Sequence, residues 1–262
     1  IYNQLSPDAS SEKAIEVSIA TIRSRLNAYF SQNIREQFRF GSSTRGTMLP
    51  KSIDDDADID YMVVFEDDDI KPQAYLDRLR GFVESYYSTS EIHQSTPTIV
   101  LSLNHIKFEL VPALRNWFYG FQIPAKASAY NDWMSTKPFE FNKKLDEVNN
   151  SHKGITKKII KLMKYWNVIN DKPFSSFELE QIIVNSYDKF VFGDGIIGTT
   201  NIKNALFYFI ENDFNINYLE AQWKKDKVAK LQETISIVRQ LEQMNRFTYA
   251  VAELNKVFPS IP

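Results

Sequence analysis

The segment from Asp58 to Phe65 reads Asp-Ile-Asp-Tyr-Met-Val-Val-Phe, and it constrains the fold more than any other part of this 262-residue chain. Side chains alternate between the two faces of a β-strand, so Asp58 and Asp60 face one way and the intervening apolar residues face a core. Two carboxylates side by side repel each other unless a cation lies between them. The pattern therefore predicts a half-buried strand with a divalent-ion site on one face.

A third acid follows in a comparable setting. Glu109 lies within Lys-Phe-Glu-Leu-Val-Pro, where apolar neighbours predict an interior strand and make an unpaired carboxylate costly. With Asp58 and Asp60 it would supply the hard oxygen ligands that Mg²⁺ or Mn²⁺ prefers, in a two-metal site for phosphoryl transfer. Taken singly, the aspartates could form a solvated outer face and Glu109 could be an edge-strand acid.

A Gly-Ser loop precedes the aspartates in Phe-Gly-Ser-Ser-Thr-Arg-Gly-Thr, residues 40–47. Gly41 permits a tight turn after a strand, and Ser42 with the following backbone N–H groups can cradle phosphate. Alone, such a loop is most often only a turn. In order with the three acids, it predicts in-line attack of a hydroxyl on an α-phosphate, with pyrophosphate leaving.

Hydrophobic periodicity predicts an α+β fold in two lobes. Residues 1–132 are expected to form a catalytic lobe, a mixed sheet backed by helices that includes a long N-terminal helix over 10–30. Residues 133–262, where strand patterns fade, are expected to form a helical lobe, with a cleft between the two. The predicted lobe elements are strands at 37–40 and 58–65, a helix at 71–87, a hairpin at 98–111, and helices at 141–150, 156–170, 177–190, 202–212 and 218–244.

Composition excludes several functional classes. The chain has no Cys and three His, which excludes a disulfide scaffold, a thiol nucleophile and a cysteine-ligated zinc site. Its net charge of −2 lacks the basic excess of a nucleic-acid-coating protein. No apolar run approaches the ~20 residues that span a bilayer. We expect a cytoplasmic, monomeric protein that needs neither membrane nor nucleic acid.

The three motifs together resemble the nucleotidyltransferase superfamily of DNA polymerase beta. In the second half, Lys-Leu-Met-Lys-Tyr-Trp-Asn at 161–167 and Phe-Ser-Ser-Phe-Glu-Leu at 174–179 are similar to cyclic GMP–AMP synthase and its bacterial relatives, the CD-NTases. The resemblance extends from about residue 10 to residue 187. It implies a polymerase-beta-like lobe, a helical lobe, and a bacterial enzyme that makes cyclic oligonucleotide signals in anti-phage defence.

The resemblance also implies roles for residues of the helical half. Lys164 and Ser176 would hold the donor triphosphate, with Ser42 on the same phosphates, and Phe177 would stack on a base. Asn167 is a candidate for binding a base edge, because an amide offers both a donor and an acceptor. Without the resemblance, Lys164 would be assigned to a solvated stripe and Phe177 to core packing.

The predicted reaction condenses two nucleoside triphosphates, GTP and/or ATP, into a cyclic dinucleotide, and we favour cyclic di-GMP. Glu109 would lie nearest the attacking hydroxyl as a candidate base. A separate effector, such as a STING-like receptor, would bind the product. One alternative is transfer of a single nucleotide to a small molecule or protein. A second, a non-catalytic scaffold on the same fold, is disfavoured because all three acids are intact.

Overall fold

The computed structural model describes residues 2–66, 70–95, 97–116, 120–125, 132–188, 201–214 and 221–260. The chain divides into two compact units, Pro7–Lys143 and the pair of segments Ile1–Ser6 and Lys144–Pro262. The predicted boundary after residue 132 falls inside the first unit. The reason is that a further strand, Trp133–Thr136, pairs with the sheet of that unit.

Seven strands form the sheet of the first unit, counted over the described residues. They are β1 Ile34–Arg39, β2 Asp58–Phe65, β3 Glu91–Ser95, β4 Thr98–Ser102, β5 Lys107–Asn116, β6 Gly120–Pro124 and β7 Trp133–Thr136. The order is β1-β2-β5-β4-β3, with β6 paired to β5 and β7 to β6. The β2–β5 contact is parallel and the other contacts are antiparallel. The sheet is therefore mixed, as predicted.

Three helices accompany this sheet: α1 Ala9–Phe30, α2 Ser42–Arg45 and α3 Pro72–Tyr86. Asp8 caps α1, its carboxylate accepting a hydrogen bond of 2.7 Å from the backbone N–H of Ser11. The helix thus begins one residue before the predicted start at residue 10. Pro72 occupies the first turn of α3, where its missing N–H costs no hydrogen bond.

The two faces of the central strands bury different clusters. Ile59, Tyr61 and Phe108 belong to the main core, which also contains the apolar stripes of α1 and α3. Met62, Val64, Val111, Ala113, Phe121 and Ile123 form a second, smaller cluster on the opposite face. Because side chains alternate along a strand, this smaller cluster lies on the same face as the acids of β2 and β5.

The second unit is helical in its described residues. It contains most of α4 Glu140–Ser151, then α5 Ile155–Ile169, α6 Ser176–Asp188, α7 Ile202–Tyr208, a π-helical turn Phe209–Asp213, α8 Gln222–Gln243 and α9 Phe247–Leu254. Helix α5 is its centre, with eleven of its residues buried. Trp166 packs on Phe174 and Phe214, with ring centroids 6.5 and 5.9 Å away.

Most predicted helices are present within a few residues of their expected limits. Helix α9 was not predicted, and the last residues of the helix predicted at 177–190 and the start of that at 218–244 lie outside the described residues. Across the described ranges, no helix combines the length and the apolar character needed to cross a membrane.

Candidate active site

The three predicted acids emerge on one face of the sheet. Asp60 is paired directly with Glu109 across the parallel contact of β2 with β5, and Asp58 is paired with Lys107. Residues paired in this way point to the same side of a sheet, and Asp58 and Asp60 alternate with the buried Ile59. All three acids are partly exposed, whereas the strand positions between them are buried. The local sequence pattern therefore positions a carboxylate cluster at the edge of a core.

Burial is the main influence on Glu109, and it raises the pKa of this carboxyl group above its ordinary value. Hydrogen bonds to Asp58 and Thr98 oppose the rise, as do the charges of His93 and Lys107. Two carboxylates this close repel each other when both are charged. The Asp58–Glu109 contact thus marks a place where negative charge needs compensation.

Gly41 brings the loop against the acids. Its φ of +72° is a conformation that L-residues with a Cβ rarely adopt. A Cβ placed there would overlap the carboxylate of Asp60, 2.6 Å from its Cγ. The backbone N–H of Phe40 also donates to the carbonyl of Asp60 at 2.9 Å. Gly41 is therefore required by the close approach of this loop to Asp60.

The hydroxyl groups of Ser42, Ser43 and Thr44, which follow Gly41, differ in their hydrogen bonds. Ser43 Oγ donates to the carbonyl of Phe40 at 3.2 Å, and Thr44 Oγ1 donates to that of Gly41 at 2.9 Å. Within the described part of the chain, the Ser42 hydroxyl makes no hydrogen bond and is partly exposed. Ser42 is thus the hydroxyl of this loop that can bind a ligand.

The acids fit a divalent cation by their chemistry. Asp58, Asp60 and Glu109 offer only carboxylate oxygens, the donors that Mg²⁺ and Mn²⁺ prefer, and a cation beside the Asp58–Glu109 contact would compensate their negative charge. Over the described residues, however, no three acidic or histidine side chains already surround one point as a metal-ligand set. The three acids lie on one face of the sheet as predicted, but their side chains do not converge on a single ligand position.

Lys164 of α5 forms a buried ion pair with Glu180 of α6. Lys164 is 4% exposed and Glu180 is fully buried, so the lysine does not belong to a solvated stripe. A buried carboxylate of this kind is stable only with a close counter-charge. Glu180 is not predicted from the sequence, although an acid that follows Leu179 and precedes the apolar run from Ile182 is a signal for such a partner.

A capping box begins α6. Ser175 Oγ accepts from the backbone N–H of Glu178 at 3.2 Å, and Glu178 Oε2 accepts from the N–H of Ser175 at 3.4 Å. Because Ser175 provides the cap, the adjacent Ser176 stays exposed at the start of the helix. Phe177 is 45% exposed, which disagrees with the core-packing alternative.

Asn167 has a different environment from the one predicted. Its side chain is 2% exposed, its Nδ2 donates to the carbonyl of Phe174 at 2.9 Å, and its Oδ1 accepts from the N–H of Phe174 at 3.1 Å. Both ends of the amide are therefore bound to the segment before α6. The prediction that Asn167 binds a base edge is corrected here, because the donor and acceptor it relied on hold Phe174 in place.

Comparison with known proteins identifies the family. Residues 1–149, more than half of the chain, match the domain family described as Second Messenger Oligonucleotide or Dinucleotide Synthetase (SMODS). The chain belongs to the SMODS family. The prediction of a bacterial CD-NTase is thereby confirmed: the matched region contains the Gly-Ser loop and all three acids, although the motifs at 161–167 and 174–179 lie beyond it.

Relatives of known name or structure agree with this assignment. A probable cyclic nucleotide synthase of Bacillus cereus strain VD146 is 26% identical over 136 residues, which span 50% of this SMODS chain and 40% of that protein. The chain thus matches less than half the length of this curated relative.

Two solved structures share the fold over nearly the whole chain. The Vibrio cholerae DncV cyclic AMP-GMP synthase, a prokaryotic cGAS homolog, has a TM-score of 0.79 at 11% identity, covering 98% of this chain and 93% of that one. The STING-associated CdnE c-di-GMP synthase of Capnocytophaga granulosa has a TM-score of 0.64 at 18% identity, covering 96% and 85%. The predicted α+β nucleotidyltransferase fold with a helical lobe is confirmed.

Proposed function

We propose that this SMODS protein condenses two nucleoside triphosphates into a cyclic dinucleotide, with Mg²⁺ or Mn²⁺ as cofactor. The observation that carries the proposal is the direct pairing of Asp60 with Glu109 on the face where Asp58 also emerges. Three carboxylates beside a Gly-Ser loop suit phosphoryl transfer, in which positioning and charge stabilisation supply most of the catalysis.

The acids have two tasks in this proposal. Asp58, Asp60 and Glu109 would hold the divalent ions, which when bound neutralise charge on the attacking and leaving oxygens. A carboxylate oxygen of Glu109 would take the proton of the attacking hydroxyl, because burial raises the pKa of this group and so strengthens it as a base. Gly41 would let the loop backbone approach the triphosphate, and the unbonded Ser42 hydroxyl would donate to a phosphate oxygen.

The helical unit would bind the rest of the donor nucleotide. Ser176 is exposed at the first turn of α6, where backbone N–H groups favour an anion. Phe177, 45% exposed, offers a face for base stacking worth ~1–3 kcal/mol. Lys164 would contact phosphate only when its ammonium group is shared between Glu180 and the nucleotide.

For the product, we favour cyclic di-GMP made from GTP. Similarity to the STING-associated c-di-GMP synthase, which is 18% identical to this chain against 11% for the cyclic AMP-GMP synthase, supports this choice. A separate receptor of the STING type would bind the product in anti-phage signalling. We expect a monomer that works in the cytoplasm without a nucleic-acid activator.

Mass spectrometry of products formed from the four ribonucleotides with Mg²⁺ or Mn²⁺ tests the proposal. We expect a phosphatase-resistant cyclic dinucleotide from the wild type and none from the double variant Asp58→Asn/Asp60→Asn. A matched double variant of exposed helix residues, Asp77→Asn/Asp146→Asn, should keep activity. Radiolabel that appears on protein or on an added small molecule would instead establish transfer of a single nucleotide.

A further inference from the structure

Asn142, at the start of α4, lies against the Gly-Ser loop rather than in open solvent. Its Nδ2 donates to Thr44 Oγ1 at 3.0 Å, and its Oδ1 accepts from Arg45 Nη1 at 3.4 Å. A guanidinium group can only donate hydrogen bonds, so the amide oxygen must face Arg45 and the amide nitrogen must face Thr44. The orientation of the Asn142 side chain is therefore fixed by its two partners.

These contacts continue to the acids. Thr44 Oγ1, which accepts from Asn142, donates in turn to the carbonyl of Gly41 at 2.9 Å. Gly41 is the residue whose Cα packs on the carboxylate of Asp60. A chain of hydrogen bonds thus runs from α4 through Thr44 to the backbone position that touches Asp60.

Arg45, which donates to Asn142, is the residue of this hydrogen-bond series farthest from Gly41. It is 7% exposed, and its guanidinium carbon lies 5.5 Å from the ring centroid of Phe141, the neighbour of Asn142. Phe139, two residues earlier, packs on Phe38 of β1 with ring centroids 5.0 Å apart. The chain at the entry to α4 is therefore held both to the strand before the loop, through Phe139, and to the loop itself, through Phe141 and Asn142.

We propose that Asn142 is a positioning residue for nucleotide transfer. Through Thr44 it holds the Gly41–Ser42 turn in the position that binds the triphosphate. This inference rests on the proposed function. Asn142 is one of the last residues of its unit, separated by almost a hundred positions from the loop, and no motif in the sequence marks it. Effects of this kind can be large, because a misplacement of ~1 Å can cost about 100-fold in rate.

Two isosteric variants each remove one link from this series of hydrogen bonds. Asn142→Asp keeps an oxygen for Arg45 but removes the donor to Thr44, and Thr44→Val removes the hydroxyl between Asn142 and Gly41. Asn150→Asp, the same change at an exposed position of α4, is the matched control. We expect Asn142→Asp to raise KM for the nucleotide about tenfold or more, with a smaller fall in kcat, because the loop binds phosphate in ground and transition states alike.

Since Asn142 acts through Thr44, the two variants should not be additive, and the double variant should resemble Thr44→Val. Thr44→Ser, which keeps the hydroxyl, should restore the wild-type KM. Additive effects of Asn142→Asp and Thr44→Val, or a KM unchanged by Asn142→Asp, would overturn the proposal.

Hydrogen–deuterium exchange of the full chain separates this inference from the proposed function. Asn142→Asp should speed exchange of the amides at 42–47 and leave those of β2 unchanged, whether or not the wild type forms a product. Unchanged exchange in the loop would refute the positioning role. Absence of product from the wild type would refute the proposed function alone, and the exchange result would still decide whether Asn142 holds the loop.

Discussion

Gly41 and Asp60 are in such close contact that a Cβ at position 41 would overlap the Asp60 carboxylate. The contact joins the turn that would receive phosphate to one of the acids that would hold the cation. The two parts of the site therefore cannot move independently, and a change on either side should be detected on the other.

Replacing Gly41 by Ala tests this coupling. The methyl group should displace Asp60, and we expect product formation to fall about 100-fold. Gly46→Ala is the matched control: Gly46 has a similar φ of +68°, but among the described residues no atom lies within 4 Å of the place its methyl group would take. It should cost only the left-handed strain of ~1–2 kcal/mol and keep activity within a few-fold. Equal losses in both variants would contradict a specific role for Gly41.

Glu109→Gln should stabilise the metal-free protein at neutral pH. The raised pKa means that the fold favours protonated Glu109, so this contribution to stability is present below the ordinary carboxyl pKa and is lost as pH rises through the raised value. Gln mimics the neutral form at every pH. In thermal melts with chelator, Glu109→Gln should have a higher Tm than the wild type at pH 7. As pH rises, the Tm of the variant should also fall less than that of the wild type.

The same variant should lose the response to divalent ions. Mg²⁺ or Mn²⁺ should raise the Tm of the wild type by binding the folded state, and the increase should shrink in Glu109→Gln. Asp146→Asn, a change at an exposed residue of α4, should leave the increase intact. A wild-type Tm that does not respond to either ion would argue against the cation site.

The Lys164–Glu180 pair separates stability from nucleotide binding. Glu180→Gln should destabilise the fold by about 3–5 kcal/mol, because it leaves the buried Lys164 without its counter-charge. The apolar double replacement Lys164→Met/Glu180→Leu should recover most of that loss. If Lys164 holds phosphate, this stable double variant will bind a non-hydrolysable triphosphate analogue much more weakly in calorimetry; unchanged affinity would assign the lysine a structural role alone.

Phe177 should influence nucleotide affinity more than folding. With 45% of its surface exposed, Phe177→Ala should change the unfolding free energy little. Loss of a stacked base, at ~1–3 kcal/mol, should raise KM for the nucleotide about tenfold, and Phe177→Tyr should retain the wild-type value. A large fall in Tm with no change in KM would show that the ring packs rather than stacks.

Asn167, unlike Phe177, should influence folding more than nucleotide binding. Asn167→Leu should destabilise the protein by ~1–3 kcal/mol for each backbone group of Phe174 left without a partner. The base composition of the product should stay the same. A changed product in a stable variant would restore the base-binding role that the geometry does not support.

The sequence alone predicted what local patterns determine. Alternation defined β2 to the residue and placed Asp58 and Asp60 on one face, and the apolar stripes of α1, α3 and α5 identified those helices. Short edge strands such as β3 and β7 were not predicted, because their exposure pattern resembles that of loops. Long-range partners were also missed: no local signal connects Asn142 with Thr44, or shows that Asn167 binds Phe174 rather than a ligand.

The first residues of the chain pack with the helical unit, where Lys161 Nζ donates to Ser6 Oγ at 2.6 Å. The sheet unit, by contrast, is one continuous stretch from Pro7 to Lys143. On the ribosome, where domains tend to fold in order of synthesis, the sheet unit can close as soon as its last residue emerges. Residues 1–6, joined directly to the sheet unit, can pack in their final place only after the helices of residues 144–262 have been synthesised.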